Sequence, residues 1–416
     1  MRRPCTRQLA SRVALWAAVS GGAACTAWVP PPVEPYWQGR LDVAEELFRE
    51  RLDSSDGDWV LMANELATTL DAKGDVDGAW RLFYDAGRAM ETWDASIGER
   101  VGTVVGREDT REYRGEPYER ALNSIYTGIL AFERGEPDNA RASFKEAMLR
   151  DAEQSEEEFG SDFAPSFYLA AWASRDNGQA SEARSFLQEA RQARAGAVAH
   201  GARGKSDPLA FRNFESSNLL VLASVGRGPW KVARRDRPDM VVMASPTQRV
   251  RAARVFVDGV LRGTTEVIGD VDFQANTRGG RWLDGIREGK AVFKEVSGTA
   301  GTVLLLEGID RDDKGLMLAG AIALLGSLFI SVDPDLRCWR TLPDTLQAIA
   351  LDVTPGEHTV FVEFIATDGR VDPQYSREYR ITVPDRDAPR LQTTILHARS
   401  VPAPTPHRYP PTGGSQ

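Results

Sequence analysis

Reactive side chains are scarce in this chain. Its 416 residues hold three cysteines, Cys5, Cys25 and Cys338, and four histidines, His200, His358, His397 and His407. A thiol nucleophile needs an imidazole within hydrogen-bond reach, and Cys338 with His358 is the pair to consider. The ordinary reading is that Cys338 packs beside Trp339 while His358 follows a turn in a strand. No Cys-x-x-Cys pair supports a zinc or dithiol site, and no His-Glu-x-x-His or Gly-x-Ser-x-Gly appears. Gly226-Arg227-Gly228 is too short a glycine run to cradle a phosphate. Glu116 and Glu119 have the spacing of an acid–base pair, but beside Arg114 and Arg120 they read as a helix-start cluster. Arg337 and Arg340 around Trp339 either cap a neighbouring element or form an anion site. Glu156-Glu157-Glu158 lacks the alternating acids of a calcium loop. No catalytic, cofactor or metal residue is assigned, and the chain reads as a non-enzyme.

The N-terminus carries a different chemistry. Arg2, Arg3, Arg7 and Arg12 come without an acid, then the apolar run Val13 to Val19, then Ser20-Gly21-Gly22-Ala23-Ala24-Cys25. That is the order of a secretory signal. Its end resembles the lipobox of bacterial lipoproteins, with Gly22 where that family usually carries Leu, and the resemblance implies acylation at Cys25. The alternative is a plain signal cleaved near Ala24, leaving a secreted or periplasmic protein. Pro30, Pro31, Pro32 and Pro35 then make residues 26–35 read as a stiff tether.

The elements behind these residues change character half-way. Four segments share a turn glycine, an alanine five residues on and a large apolar residue four after that: Gly39/Ala44/Phe48, Gly74/Ala79/Phe83, Gly135/Ala140/Phe144 and Gly178/Ala183/Leu187. Small residues precede three of these glycines by seven positions, at Ala67, Gly128 and Ala171. Glycine supplies a positive-φ helix stop, and the steps place the alanine and the large residue on one helical face. The pattern resembles the tetratricopeptide repeat, in which the small residue lets paired helices approach. Gly74, Ala79, Phe83, Gly128, Gly135, Ala140, Phe144, Ala171, Gly178 and Ala183 are accordingly packing residues. A curved array of such repeats binds a peptide or protein on its concave face. Asn64, Asn123 and Tyr126, polar residues of the first helices, are the expected groove lining.

Tyr113-Arg114-Gly115-Glu116-Pro117-Tyr118-Glu119-Arg120, Gly226-Arg227-Gly228-Pro229-Trp230-Lys231, Asp270-Val271-Asp272 and Arg337-Cys338-Trp339-Arg340-Thr341-Leu342-Pro343 resemble a family of bacterial lipoproteins with tetratricopeptide-like N-termini. The likeness implies architecture and an envelope location, without a mechanism. From 219 onward the spacing predicts strands at Leu219–Val225, Met240–Ala244, Val255–Val257, Ala348–Val353, Thr359–Phe364 and Glu378–Val383. Val255-Phe256-Val257-Asp258-Gly259 with Thr354-Pro355-Gly356-Glu357-His358 resembles a PEGA-type β-sandwich. Within it lies Gly315–Val332, eighteen residues without a charge. Three readings stand: a buried helix, an amphiphilic hairpin on a membrane or partner, and a membrane span.

Residues 26–200 hold 34 acidic against 19 basic residues. Such a module repels phosphate backbones, which argues against nucleic-acid binding. It suits basic partner segments or is simply a solvated surface. The expected architecture is α+β multidomain: signal 1–25, tether 26–35, a tetratricopeptide-like helical solenoid over 36–194, a flexible linker at 195–207, a β-sandwich over 208–384 with a helical insertion at about 270–345, and a Pro-rich tail over 385–416, largely disordered at its end. The expected function is a tethered envelope scaffold or adaptor that binds a protein or peptide partner in the groove. It would touch the membrane through its lipid and take no nucleic acid and no small-molecule substrate. The alternative is a component of an export or surface-assembly complex whose segment 315–332 contacts or enters the membrane.

Overall fold

In the first half, apolar residues recur at helical spacing and every second helix is buried nearly throughout. A computed structural model of the chain describes residues 30–54, 57–94, 112–152, 163–235, 241–277, 335–385 and 393–402. Cys5, Cys25, the signal, Glu156–Glu158 and Gly315–Val332 lie outside the described residues. The helices of the first half are α1 (Glu34–Trp37), α2 (Leu41–Ser54), α3 (Trp59–Lys73), α4 (Val76–Asp94), α5 (Pro117–Glu133), α6 (Pro137–Ala152), α7 (Ala164–Asp176) and α8 (Ala180–Ala199). Each packs on the next in sequence.

Gly39, Gly74, Gly135 and Gly178 close four turns of one geometry, with φ of +73°, +84°, +76° and +73°. After each glycine the next residue donates back to the carbonyl five positions earlier, as Asp75 does to Leu70 at 2.9 Å. This six-to-one bond satisfies a carbonyl that the helix end leaves open. Ala79, Phe83, Ala140, Phe144, Ala171 and Ala183 are all buried. A Cβ on Gly128 would run into the Phe144 ring, so glycine is what lets α5 and α6 approach.

The second half holds α9 (Leu209–Arg212), β1 (Leu219–Val225), β2 (Trp230–Ala233), β3 (Val241–Ala244), β4 (Val250–Val257), β5 (Val260–Thr264), β6 (Glu266–Asp270), α10 (Val271–Thr277), β7 (Thr345–Leu351), β8 (Gly356–Ala366), β9 (Arg377–Val383) and β10 (Thr394–Arg399). One four-stranded sheet has the order β10-β1-β7-β6, with β1 and β10 parallel. A second has the order β5-β4-β8-β9, and β2 pairs with β3. Val221 of β1, Val255 of β4, Ile349 of β7 and Val362 of β8 belong to one apolar cluster, so the two larger sheets share a core.

Three expectations are corrected. The described part of the 26–35 segment is not an outlying tether: Val33 and Tyr36 are buried, and α1 begins at Glu34. Apolar side chains between the prolines outweigh the stiffness of the run. The 195–207 stretch is not a flexible linker, because α8 runs to Ala199 and Ala202 is buried. Arg203 then pairs with Asp270 and with Asp344, the latter at 2.7 Å. Residues 394–399, assigned to the tail, form β10 and are buried from Ile395 on. From Pro31 on the chain is one compact unit rather than two domains on a linker.

The filled inner face of the helical array

The sequence Val60-Leu61-Met62-Ala63-Asn64-Glu65-Leu66-Ala67-Thr68-Thr69-Leu70 folds as the middle of α3, and every one of these residues is buried. Buried polar groups must find partners, and here they find them in the second half of the chain. Glu65 accepts the backbone N–H of Arg340 at 2.7 Å and that of Thr341 at 3.1 Å, and the Thr341 hydroxyl donates to it at 2.5 Å. On α5, Glu119 accepts the N–H of Trp339 at 2.5 Å. Its other oxygen accepts Glu116 N and the Tyr113 hydroxyl, each at 2.7 Å.

Trp339 is fully buried, its ring 5.5 Å from that of Phe83 and 5.9 Å from that of Tyr126. Its indole N–H reaches Thr68 Oγ1 at 3.1 Å and Thr341 Oγ1 at 3.0 Å. Arg337, only 2% exposed, spans Asp58 and Asp335 at 2.8 Å each. Segment 335–343, which turns at 340–341, is therefore held by helical carboxylates through the backbone N–H groups of 339–341. The groups that hold this segment and the segment itself belong to one chain.

This corrects the expected groove lining. Asn64 and Asn123 are each 1% exposed and bond to one another at 2.8 Å, and Asn123 also donates to Phe83 O at 3.0 Å. The Tyr126 hydroxyl is 3.1 Å from Ser224 Oγ of β1. All three lie on the inner face, as their spacing predicts, but that face is covered. Segment 335–343 and β10 satisfy it, so no outside partner reaches these side chains in this conformation.

A second line of contacts runs along the C-terminal ends of the inner helices. Asp176 of α7 accepts Thr393 N at 3.0 Å and the Thr393 hydroxyl at 2.6 Å. Glu133 of α5 accepts His397 N at 3.1 Å, and Asp71 of α3 accepts Arg399 Nε at 2.5 Å. One acid on each of α3, α5 and α7, two or three residues before the turn glycine, thus holds one stretch of the β10 strand and its lead-in.

Burial dominates the electrostatics. It pushes the Glu65 carboxyl up to about 7 against the hydrogen bonds from Thr341 and Arg340, and it also raises Glu119. Lys231 of β2 is buried and pairs with Glu116. Burial disfavours its ammonium, but the Glu116, Asp335 and Glu119 charges hold it above the ordinary lysine range. Burial pushes the Cys338 thiol up to about 12, and its Sγ accepts Lys231 N at 3.4 Å. His358 lies elsewhere, bonded to Asp258 at 2.6 Å and Thr354 O at 2.7 Å, so the cysteine–histidine pair is not assembled. Glu116 and Glu119 form the capping box of α5. Arg337 is consumed by its acids, and Arg340 lies over the Trp230 ring, so they do not converge on an anion site. No group of metal-ligating side chains occurs among the described residues.

Sequence reasoning missed Glu65, Glu119, Asp71, Glu133 and Asp176 as the groups that hold the second half. The available signal was an acid inside an apolar helix, or just before the turn glycines Gly74, Gly135 and Gly178.

No family model matches the chain, and no curated protein matches it. The crystal structure of MamA, a tetratricopeptide-type protein, is a distant neighbour. It aligns over 40% of this chain and 96% of its own, at 14% identity and a TM-score of 0.21. The reading of helical repeats therefore rests on the turns and packing described above. The resemblances to envelope lipoproteins and to a PEGA-type module rest on the sequence motifs.

Proposed function

We propose that this chain is a non-enzymatic scaffold or adaptor of the cell envelope, tethered through a lipidated Cys25, that docks a protein partner on the outside of its helical array. The array is read as a short tetratricopeptide-like solenoid packed against a β-sandwich. The observation that carries the proposal is the clamp of Glu65 and Glu119 on the backbone of 339–341. It engages the array's peptide-binding chemistry within the chain and leaves the outer helices for partners. Tyr84 of α4 and Leu149 of α6 are large apolar side chains exposed there, at 43% and 61%. The neighbouring α2 carries Asp42, Glu45, Glu46, Glu50 and Asp53, which suits a partner with a basic surface. No described helix is long and apolar enough to cross a membrane.

The test is in-cell crosslinking and affinity purification from membrane and soluble fractions. It compares the wild type with Cys25→Ser and with a Tyr84→Ala/Leu149→Asp double variant. Specific partners recovered with the wild type and lost with the double variant, together with release of Cys25→Ser into the soluble fraction, are expected. An unchanged set of partners in the double variant overturns docking on the outer helices. Membrane retention of Cys25→Ser overturns the lipid tether.

A further inference from the structure

A cleft of about 960 Å³ opens where the start of α2 and the C-terminal ends of α3 and α5 meet β9 and β10. It is not part of the clamp on 335–343. Asp71, Glu133, His397 and Arg399 lie among its lining residues. The Arg399 side chain is only 4% exposed and is held by Asp71 through Nε, with its guanidinium 4.4 Å from the Tyr126 ring centroid. Its Nη2, also buried, has no hydrogen-bond partner among the described residues. His397 Nδ1 faces the Asp71 carboxylate at 3.3 Å, and its Nε2 is 2.9 Å from Ser224 Oγ. Burying a donor without an acceptor is costly, so Arg399 Nη2 marks a place for one.

Glu133 supplies a further donor. Its one described hydrogen bond is accepted from His397 N. Burial, then the Asp71 charge, push its carboxyl up to about 8, so it is protonated at neutral pH. Asp71, His397 and Arg399 act on it directly, and the other titratable groups lining the cleft are Lys73 of α3, Arg377 and Tyr379 of β9, and Arg40 and Asp42 at the start of α2. With Glu133 neutral, the cations Arg40, Lys73, Arg377 and Arg399 stand against Asp42 and Asp71 of the lining and Glu45, which also holds Lys73 at 2.6 Å. A cationic ligand would meet those charges and a neutral carboxyl. The volume far exceeds an inorganic ion, and Leu41, Val43, Val76 and Ile395 give it apolar walls.

We propose that this cleft binds an amphiphilic organic acid, its carboxylate held by Arg399 Nη2 and the Glu133 carboxyl and its apolar body laid along the α2–β10 walls. The single negative charge and two acceptor oxygens match the donors, as in other charge-assisted pairs.

Calorimetric titration of the full chain with octanoate, octylammonium and octanol tests this, first at slightly acid pH. Octanoate should bind at least about tenfold more tightly than either of the others. Arg399→Lys keeps a cation for Asp71 but loses the Nη2 donor, and should weaken octanoate about tenfold. Above about pH 8 the wild-type affinity should fall by up to about tenfold per pH unit as Glu133 ionises. Glu133→Gln, which stays neutral, should bind with no such fall and serves as the folded control should Arg399→Lys unfold. Failure of octanoate to bind at millimolar concentration overturns the proposal. So does equal binding of octylammonium or octanol, or a pH-dependent fall that persists in Glu133→Gln.

Discussion

A carboxyl group between Leu61, Met62, Leu66 and Leu70 is in an environment that opposes its charge, and Glu65 occupies that place because the 340–341 backbone needs an acceptor there. Its folded pKa of about 7 lies above the ordinary 4.5. Between those values the folded state holds a proton that the unfolded state has released, so this group's contribution to stability falls as pH rises through the window. Glu65→Gln has no such proton. Urea unfolding of both proteins should show their stability difference moving in favour of Glu65→Gln by about 3 kcal/mol from about pH 4.5 to about pH 8. A difference independent of pH would mean that Glu65 is ordinarily ionised and that burial is not its controlling term. Asn64, Asn123 and Tyr126 were legible as inner-face residues because helical spacing places them there. Their role was not, because whether a groove is open depends on residues such as Trp339, more than 200 positions away.

At the scale of elements, the helical hairpins follow from local rules. Gly74 has φ +84° and open space where a Cβ would sit, so Gly74→Ala costs only the left-handed backbone, about 1 kcal/mol. Gly128 differs, since a side chain there meets the Phe144 ring across the α5–α6 contact. Gly128→Val should therefore cost about 3 kcal/mol. Phe144→Leu in that background should recover part of the loss, giving a favourable coupling in a double-mutant thermal-unfolding cycle. Strictly additive losses would show that the two side chains do not compete for that space. The six expected strand segments all contribute to strands, but β10 was read as tail. Thr394-Ile395-Leu396-His397-Ala398-Arg399 lacks clean alternation and sits before a proline-rich end. It becomes a strand by parallel pairing with β1, a contact with no local signal.

For the whole molecule, the inner helices cannot be separated from the sheets without exposing buried carboxylates and Trp339. Asp71, Glu133 and Asp176 face β10 and its lead-in, while Glu65 and Glu119 face 339–341. Truncating one partner of such a buried contact costs several kcal/mol, so the halves should unfold together. Far-ultraviolet dichroism, which follows the helices, and the near-ultraviolet difference between the wild type and Trp339→Phe, which isolates that ring among ten tryptophans, should give coincident urea transitions. A helical transition separate from the tryptophan signal would restore the picture of two domains on a linker. The −15 balance of residues 26–200 is felt at this scale too, on the outer helices that remain exposed.

What the sequence by itself determined was local. Turn glycines with alanine and phenylalanine at fixed steps specify helical hairpins, because helix termination and 3.6-residue packing need only near neighbours. Alternating β-branched residues likewise mark most strands. The scarcity of reactive side chains left no catalytic constellation to assign. Only the tertiary structure decided that the inner face is filled by 335–343, that 195–207 is tied down by Arg203, and that Arg399 and Glu133 meet at one cleft. Each depends on burial and pairing between residues far apart in the chain, where desolvation sets the energy of a polar group and periodicity carries no record of it.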